Sequence, residues 1–201
     1  MSIHTTTQSS VGGTDKDFTS PLPDVMGLGG ALAGAAGGLA MAGVAALISL
    51  SLGGDIWLEA KQISAIVLGQ EVGQQSGFAA TPVIVGSLIH MIMAVLLGAA
   101  YGILSRRVFK LPTEFGTPLL TGLIYGMLTW MVAYFIVLPI FNPILLQTYA
   151  PAFIVQHLVY GLVTGLVYTV LRPQPYVEDE RTMMPAMAPD RSGATMTMDM
   201  D

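Results

Sequence analysis

Hydrophobic residues in this chain come in four long, nearly unbroken blocks rather than in alternating or one-sided patterns. They cover about residues 25–52, 82–105, 117–138 and 151–171. A helix needs about 20 predominantly apolar residues to cross a bilayer, and each block is long enough. The pattern therefore predicts four transmembrane helices. Pro82 and Pro151 open two of the blocks, where a missing N–H costs nothing in a first helical turn. Asp24 after Pro23 reads as an N-cap for the first. Pro139 and the Asn142-Pro143 step read as the end of the third, and the uncharged Ile140–Ala150 connection as lying against the membrane surface.

The stretch between the first two blocks differs. After Gly53-Gly54, the residues Ile56, Ala60, Ile63 and Val67 repeat at helical spacing, while Asp55, Glu59, Gln62 and Gln70 point elsewhere. This predicts a short amphipathic helix over about 55–69, lying on the membrane with Trp57 at headgroup level. A lid over the bundle is the alternative reading of the same pattern. Glu71–Ala80 reads as a loop.

The second and fourth blocks are near-copies. His90 is followed by Gly98 and Tyr101 at the same offsets as His157 is by Gly165 and Tyr168, and both blocks stop at arginine. The order is span, connection, histidine-bearing span, twice over. We read a duplicated helix hairpin whose repeats run parallel, unlike the inverted repeats of many transporters. The expected fold class is all-α: a polytopic bundle of four transmembrane helices plus one amphipathic surface helix.

Small residues repeat every fourth position in every block. The first carries Gly30, Gly34 and Gly38, the second Gly98 and Gly102, the third Gly122 and Gly126, the fourth Gly161 and Gly165. Such ridges let helix backbones approach closely where no water drives association.

Composition agrees with a membrane chain: 53% hydrophobic and 10% charged residues, against about 25% charged in soluble domains. The net charge of −5 argues against a nucleic-acid partner, and the lipid bilayer is the expected one. The absence of cysteine excludes disulfides, thiolate metal sites and cysteine nucleophiles. Residues 1–24 lack the basic-then-apolar start of a secretory signal and, like 172–201, are expected to be a disordered cytoplasmic tail. Lys16, Arg106, Arg107, Lys110 and Arg172 fall on one side of a four-span topology, and only Lys61 on the other. The positive-inside rule then places both termini in the cytoplasm, with the cell inner membrane as location.

Candidate chemistry is sparse. No Asp, Glu, Lys or Arg lies within a span, which disfavours ion-coupled transport, and no acid completes a hydrolytic triad. His90 and His157 are the ionisable groups inside the spans besides tyrosines, on the same face as Ser87 in one and Tyr160, Thr164 and Tyr168 in the other. The simpler reading makes them neutral rings that hold helices together. The alternative is a redox subunit with b-type haem between the two imidazoles, Gly98 and Gly165 leaving room for the macrocycle. In the C-terminal tail, Met196, Met198 and Met200 alternate, and their soft sulfurs suit Cu(I). An unstructured, compositionally biased tail is the plainer reading.

The run Gln156-His157-Leu158-Val159-Tyr160-Gly161, followed by Gly165 and Tyr168, resembles that of bacterial YagU-like membrane proteins, as does the Gly/Ala-rich first span with Met41. The resemblance covers about residues 25–172. It implies a four-helix inner-membrane fold and no established activity. The expected function is non-enzymatic: an accessory or scaffold subunit that packs through its glycine ridges against itself or a larger membrane complex.

Overall fold

The computed structural model describes residues 27–109, 111, 116–147 and 149–172. The two tails, with Asp24 and the methionines Met196, Met198 and Met200, lie outside the described residues. Helix α1 spans Leu28–Ser51, α2 Leu58–Leu68 and α3 Ala80–Ile103. Thr117–Val132 is α4, Leu138–Phe141 is a single-turn α5, and Ala150–Leu171 is α6. Four apolar helical stretches are long enough to cross a membrane: Leu28–Ser51, Ala80–Val108, Thr117–Phe141 and Ala150–Leu171. The chain is an all-α, multi-pass membrane protein.

The third span outruns its predicted end. It passes Pro139 and stops at Phe141, because a π-helical turn over Ala133–Val137 precedes the proline. A proline cannot donate to the carbonyl four residues back and its ring crowds that carbonyl; a widened turn accommodates both. Beyond it, Asn142 is buried and Pro143–Gln147 forms a 3-10 turn with Ile144 and Leu145 buried. Part of this connection thus packs inward, while Ile140, Phe141 and Tyr149 stay exposed.

Helix α1 packs against both α3 and α6, and α4 against α6. The glycine ridges make these contacts. A Cβ on Gly30 would come within 2.9 Å of the Gly102 backbone, and one on Gly34 within 2.6 Å of the Gly98 Cα. In the second hairpin, a Cβ on Gly165 would sit 2.6 Å from the Pro118 carbonyl oxygen, and one on Gly161 would sit 2.7 Å from the Gly126 Cα. Gly38 faces Ala94. The repeated sequence thus gives a repeated packing device. It is spent inside the bundle, which corrects the expectation that the ridges offer a surface to a partner. Gly98 and Gly165 also leave no room for a macrocycle, since the backbones of α1 and α4 fill the space beside them.

Tyrosines tie the remaining pairs. Tyr168 donates to the Gly102 carbonyl (3.2 Å), Tyr160 to that of Ala94 (2.9 Å) and Tyr125 to that of Leu97 (2.6 Å). Tyr101 stacks edge-on with Tyr168 at a centroid distance of 5.7 Å. Each phenol satisfies a carbonyl inside a bundle without water, where an unpaired hydroxyl is costly.

The antiparallel pairing sets the two ends apart. Gly29 at the start of α1 lies against Arg172 at the end of α6, and Gly165 near that end lies against Pro118 at the start of α4. Arg106, Arg107 and Arg172 share this end. The opposite end carries α2, the start of α3 and the start of α6.

Candidate functional site

Helix α2 sits at the end of the bundle remote from the arginines. It packs on α3, and its buried residues are Lys61, Gln62, Ser64 and Ala65. Val67, Leu68 and Ile66 point outward and are exposed. The contact is backbone to backbone: a Cβ on Gly86 of α3 would sit 2.6 Å from the Ala60 carbonyl carbon. Of the predicted apolar stripe, Ala60 and Ile63 turn toward the bundle while Val67 turns away.

The physical reason is that the polar residues of α2 find partners inside. Lys61 is fully buried, and its ammonium donates to Asp55 (2.6 Å), to the Gly77 carbonyl (2.8 Å) and to the Gln75 carbonyl. Three donors meet three acceptors, which is full satisfaction for an ammonium. Asp55 also accepts from the Gly77 and Trp57 amides, at 3.0 Å each. Burial pushes the Asp55 carboxyl up, but the Lys61 and backbone hydrogen bonds outweigh it and hold the group below its ordinary 3.8. Lys61, expected on the surface helix, is the clasp that fixes the 69–79 connection over the start of α2. Gln62 offers its carbonyl to the Asn142 amide (2.9 Å), which ties α2 to the connection after α5.

A cavity of about 490 Å³ lies between α1, α2, α3 and α6. His90 and His157 both line it, at the end of the bundle remote from the arginines. Each ring is anchored to backbone: His90 Nε2 donates to the Gly38 carbonyl (3.0 Å), and His157 Nδ1 to the Phe153 carbonyl one turn back (2.8 Å). Carbonyls only accept, so these nitrogens carry the protons.

Two further polar residues join them. Glu59 extends from α2 and accepts from the Gln156 amide at 2.6 Å, a charge-assisted length. Burial raises the Glu59 carboxyl above its ordinary 4.5, against the opposing pull of the Gln156 hydrogen bond and nearby His90. Sequence reasoning placed Glu59 on an outward face and left Gln156 without a role. The available signal was that Gln156 adjoins His157 inside an apolar span, where a buried amide requires a partner. The remaining walls are apolar, including Ala45, Ile63, Met91 and Leu145, with the rings of Trp57 and Phe153.

A concave, mostly apolar chamber of this volume with a few convergent polar groups has the character of a small-molecule site. Among the described residues no group of three or more His, Cys, Asp or Glu could hold a metal ion.

Searches of curated proteins and of solved structures find no match to the chain. Residues 25–179, which contain every element described above, match a family whose members have no assigned activity, so the chain belongs to the family of unknown function DUF6789.

Proposed function

We propose that this protein is a non-enzymatic accessory protein of the cell inner membrane that holds a small molecule inside its helical bundle. The cavity under α2 carries this reading. Its volume of about 490 Å³ lies within the usual range for ligand sites, roughly 300–1,000 Å³, and its polar groups gather on one part of an apolar wall. The glycine ridges are occupied within the bundle, so association with a second copy or a larger complex would use the exposed apolar faces.

Native mass spectrometry after extraction in mild detergent tests the reading. Wild-type protein is expected to carry a bound small molecule, and Ala46→Phe, which fills the cavity wall, to lose it while eluting unchanged on sizing. Bare wild-type protein, or the same adduct on Ala46→Phe, would contradict it. The same sizing run reports self-association or a larger complex.

Both termini are assigned to the cytoplasm, because the arginine-bearing end holds the starts of α1 and α4 and the ends of α3 and α6. Since the chain has no cysteine, single thiols report sidedness directly. Gln74→Cys should react with an impermeant label on intact cells, and thiols added at either terminus should not; the reverse pattern would invert the assignment.

A further inference from the structure

The polar groups of the cavity share one hydrogen-bonding character. Gln156 is 1% exposed; its amide nitrogen is committed to Glu59, and its Oε1 is buried with no partner. His90 commits Nε2 to the Gly38 carbonyl. His157 commits its Nδ1 proton to Phe153, which leaves Nε2 as an acceptor. Glu59 adds a carboxylate. The His157 Nε2 and the Glu59 carboxylate are the acceptors this wall offers to whatever enters. Ser87 and Trp57, which can donate, are exposed residues toward the rim.

A ligand complementary to this wall must donate hydrogen bonds, carry positive charge and be otherwise apolar. The aromatic faces of Trp57 and Phe153 favour the same charge. The carboxylate works against an anion. Resting on the reading of the cavity as a ligand site, we propose that it takes a protonated amine on a compact apolar body, with the ammonium at the Glu59 carboxylate. The organic cation is preferred to a metal ion because His90, His157 and Glu59 do not converge as a metal-holding group.

Three compounds of one shape separate the possibilities: adamantylamine, adamantanol and adamantane carboxylate. Trp57 lines the cavity and Trp130 does not, so full-length Trp130→Phe protein in nanodiscs reports binding through one indole. The amine is expected to shift Trp57 fluorescence at a concentration at least about tenfold lower than either comparator. Glu59→Gln should weaken the amine by about 10- to 100-fold, the range for a hydrogen bond to a charged group. The alcohol should bind wild type and Glu59→Gln alike, which shows that the variant keeps the cavity. Equal binding of amine and alcohol, tighter binding of the carboxylate, or a preference for the amine that survives Glu59→Gln would overturn the amine assignment while leaving a ligand site in place. No response to any of the three would overturn that assignment and the ligand-site reading together.

Discussion

Gly161→Val is expected to stop the second hairpin from closing. A Cβ at this position would lie 2.5 Å from the Gly126 nitrogen and 2.7 Å from its Cα. These are backbone atoms of a facing helix, so no side chain can swing aside. The helices must separate, and the loss spreads along α4 and α6, whose contact rests on Gly122, Gly126, Gly161 and Gly165. Overpacking a well-packed interior costs typically about 1–3 kcal/mol; a β-branched residue against backbone belongs at the top of that range or beyond. Gly43→Ala is the contrast. Nothing lies within 4 Å of a Cβ there, and the change should stabilise α1 by up to about 1 kcal/mol through helix propensity. Sizing after graded heating in detergent measures both. A Gly161→Val protein that melts like wild type would mean that the helices do not touch through this ridge.

Cutting the Lys61 clasp should give an asymmetric result. Asp55→Ala strands a fully buried ammonium with only carbonyl partners. Removing one partner of a buried pair costs about 3–5 kcal/mol. Lys61→Met removes the charge, keeps the aliphatic stem, and leaves Asp55, whose side chain is 24% exposed and can reach water. Its cost should be clearly smaller. Proteolysis of the 69–79 connection reads the difference, with Asp55→Ala cut fastest. Equal cutting of both variants would count against a buried clasp. The pH dependence follows from the same pair. Asp55 has a folded-state value below 3.8. Its contribution is therefore present above about pH 4 and is lost as the pH falls through the lowered value. The connection should loosen in acid and not near neutrality.

The four spans were legible because a bilayer imposes a strong compositional rule, with every backbone group satisfied within its own helix. The glycine ridges were legible too, but not what they face. A four-residue spacing names a close contact and not its partner, so Gly30 and Gly34 could be matched to Gly98 and Gly102 only in three dimensions. Pro139 was misread because a π-helical turn, invisible to hydrophobic periodicity, carries the helix past it. Helix α2 was the largest miss. Its charges look solvent-directed in isolation, and Lys61 is buried and Glu59 half-buried because Asp55 lies six residues from the one and Gln156 lies 97 residues from the other. Long-range pairs leave no trace in a local pattern. The same holds for Gly86, an unremarkable glycine in sequence and the docking point of Ala60 in the fold. The two histidines line one pocket, which their offsets within each span did not by themselves establish.

The central claim is that α2 folds its polar side onto the bundle and walls a pocket lined by Glu59, Gln156, His90 and His157. Paired thiols test it most directly, in a chain that has no cysteine of its own. Glu59→Cys with Gln156→Cys should be joined rapidly by a short bifunctional thiol reagent in membranes, since the native side chains meet at 2.6 Å. Val67→Cys with Gln156→Cys should not, because Val67 is 68% exposed and lies about 12 Å further along α2 than Glu59. Joining of the second pair and not the first would place the apolar side of α2 inward and contradict the account.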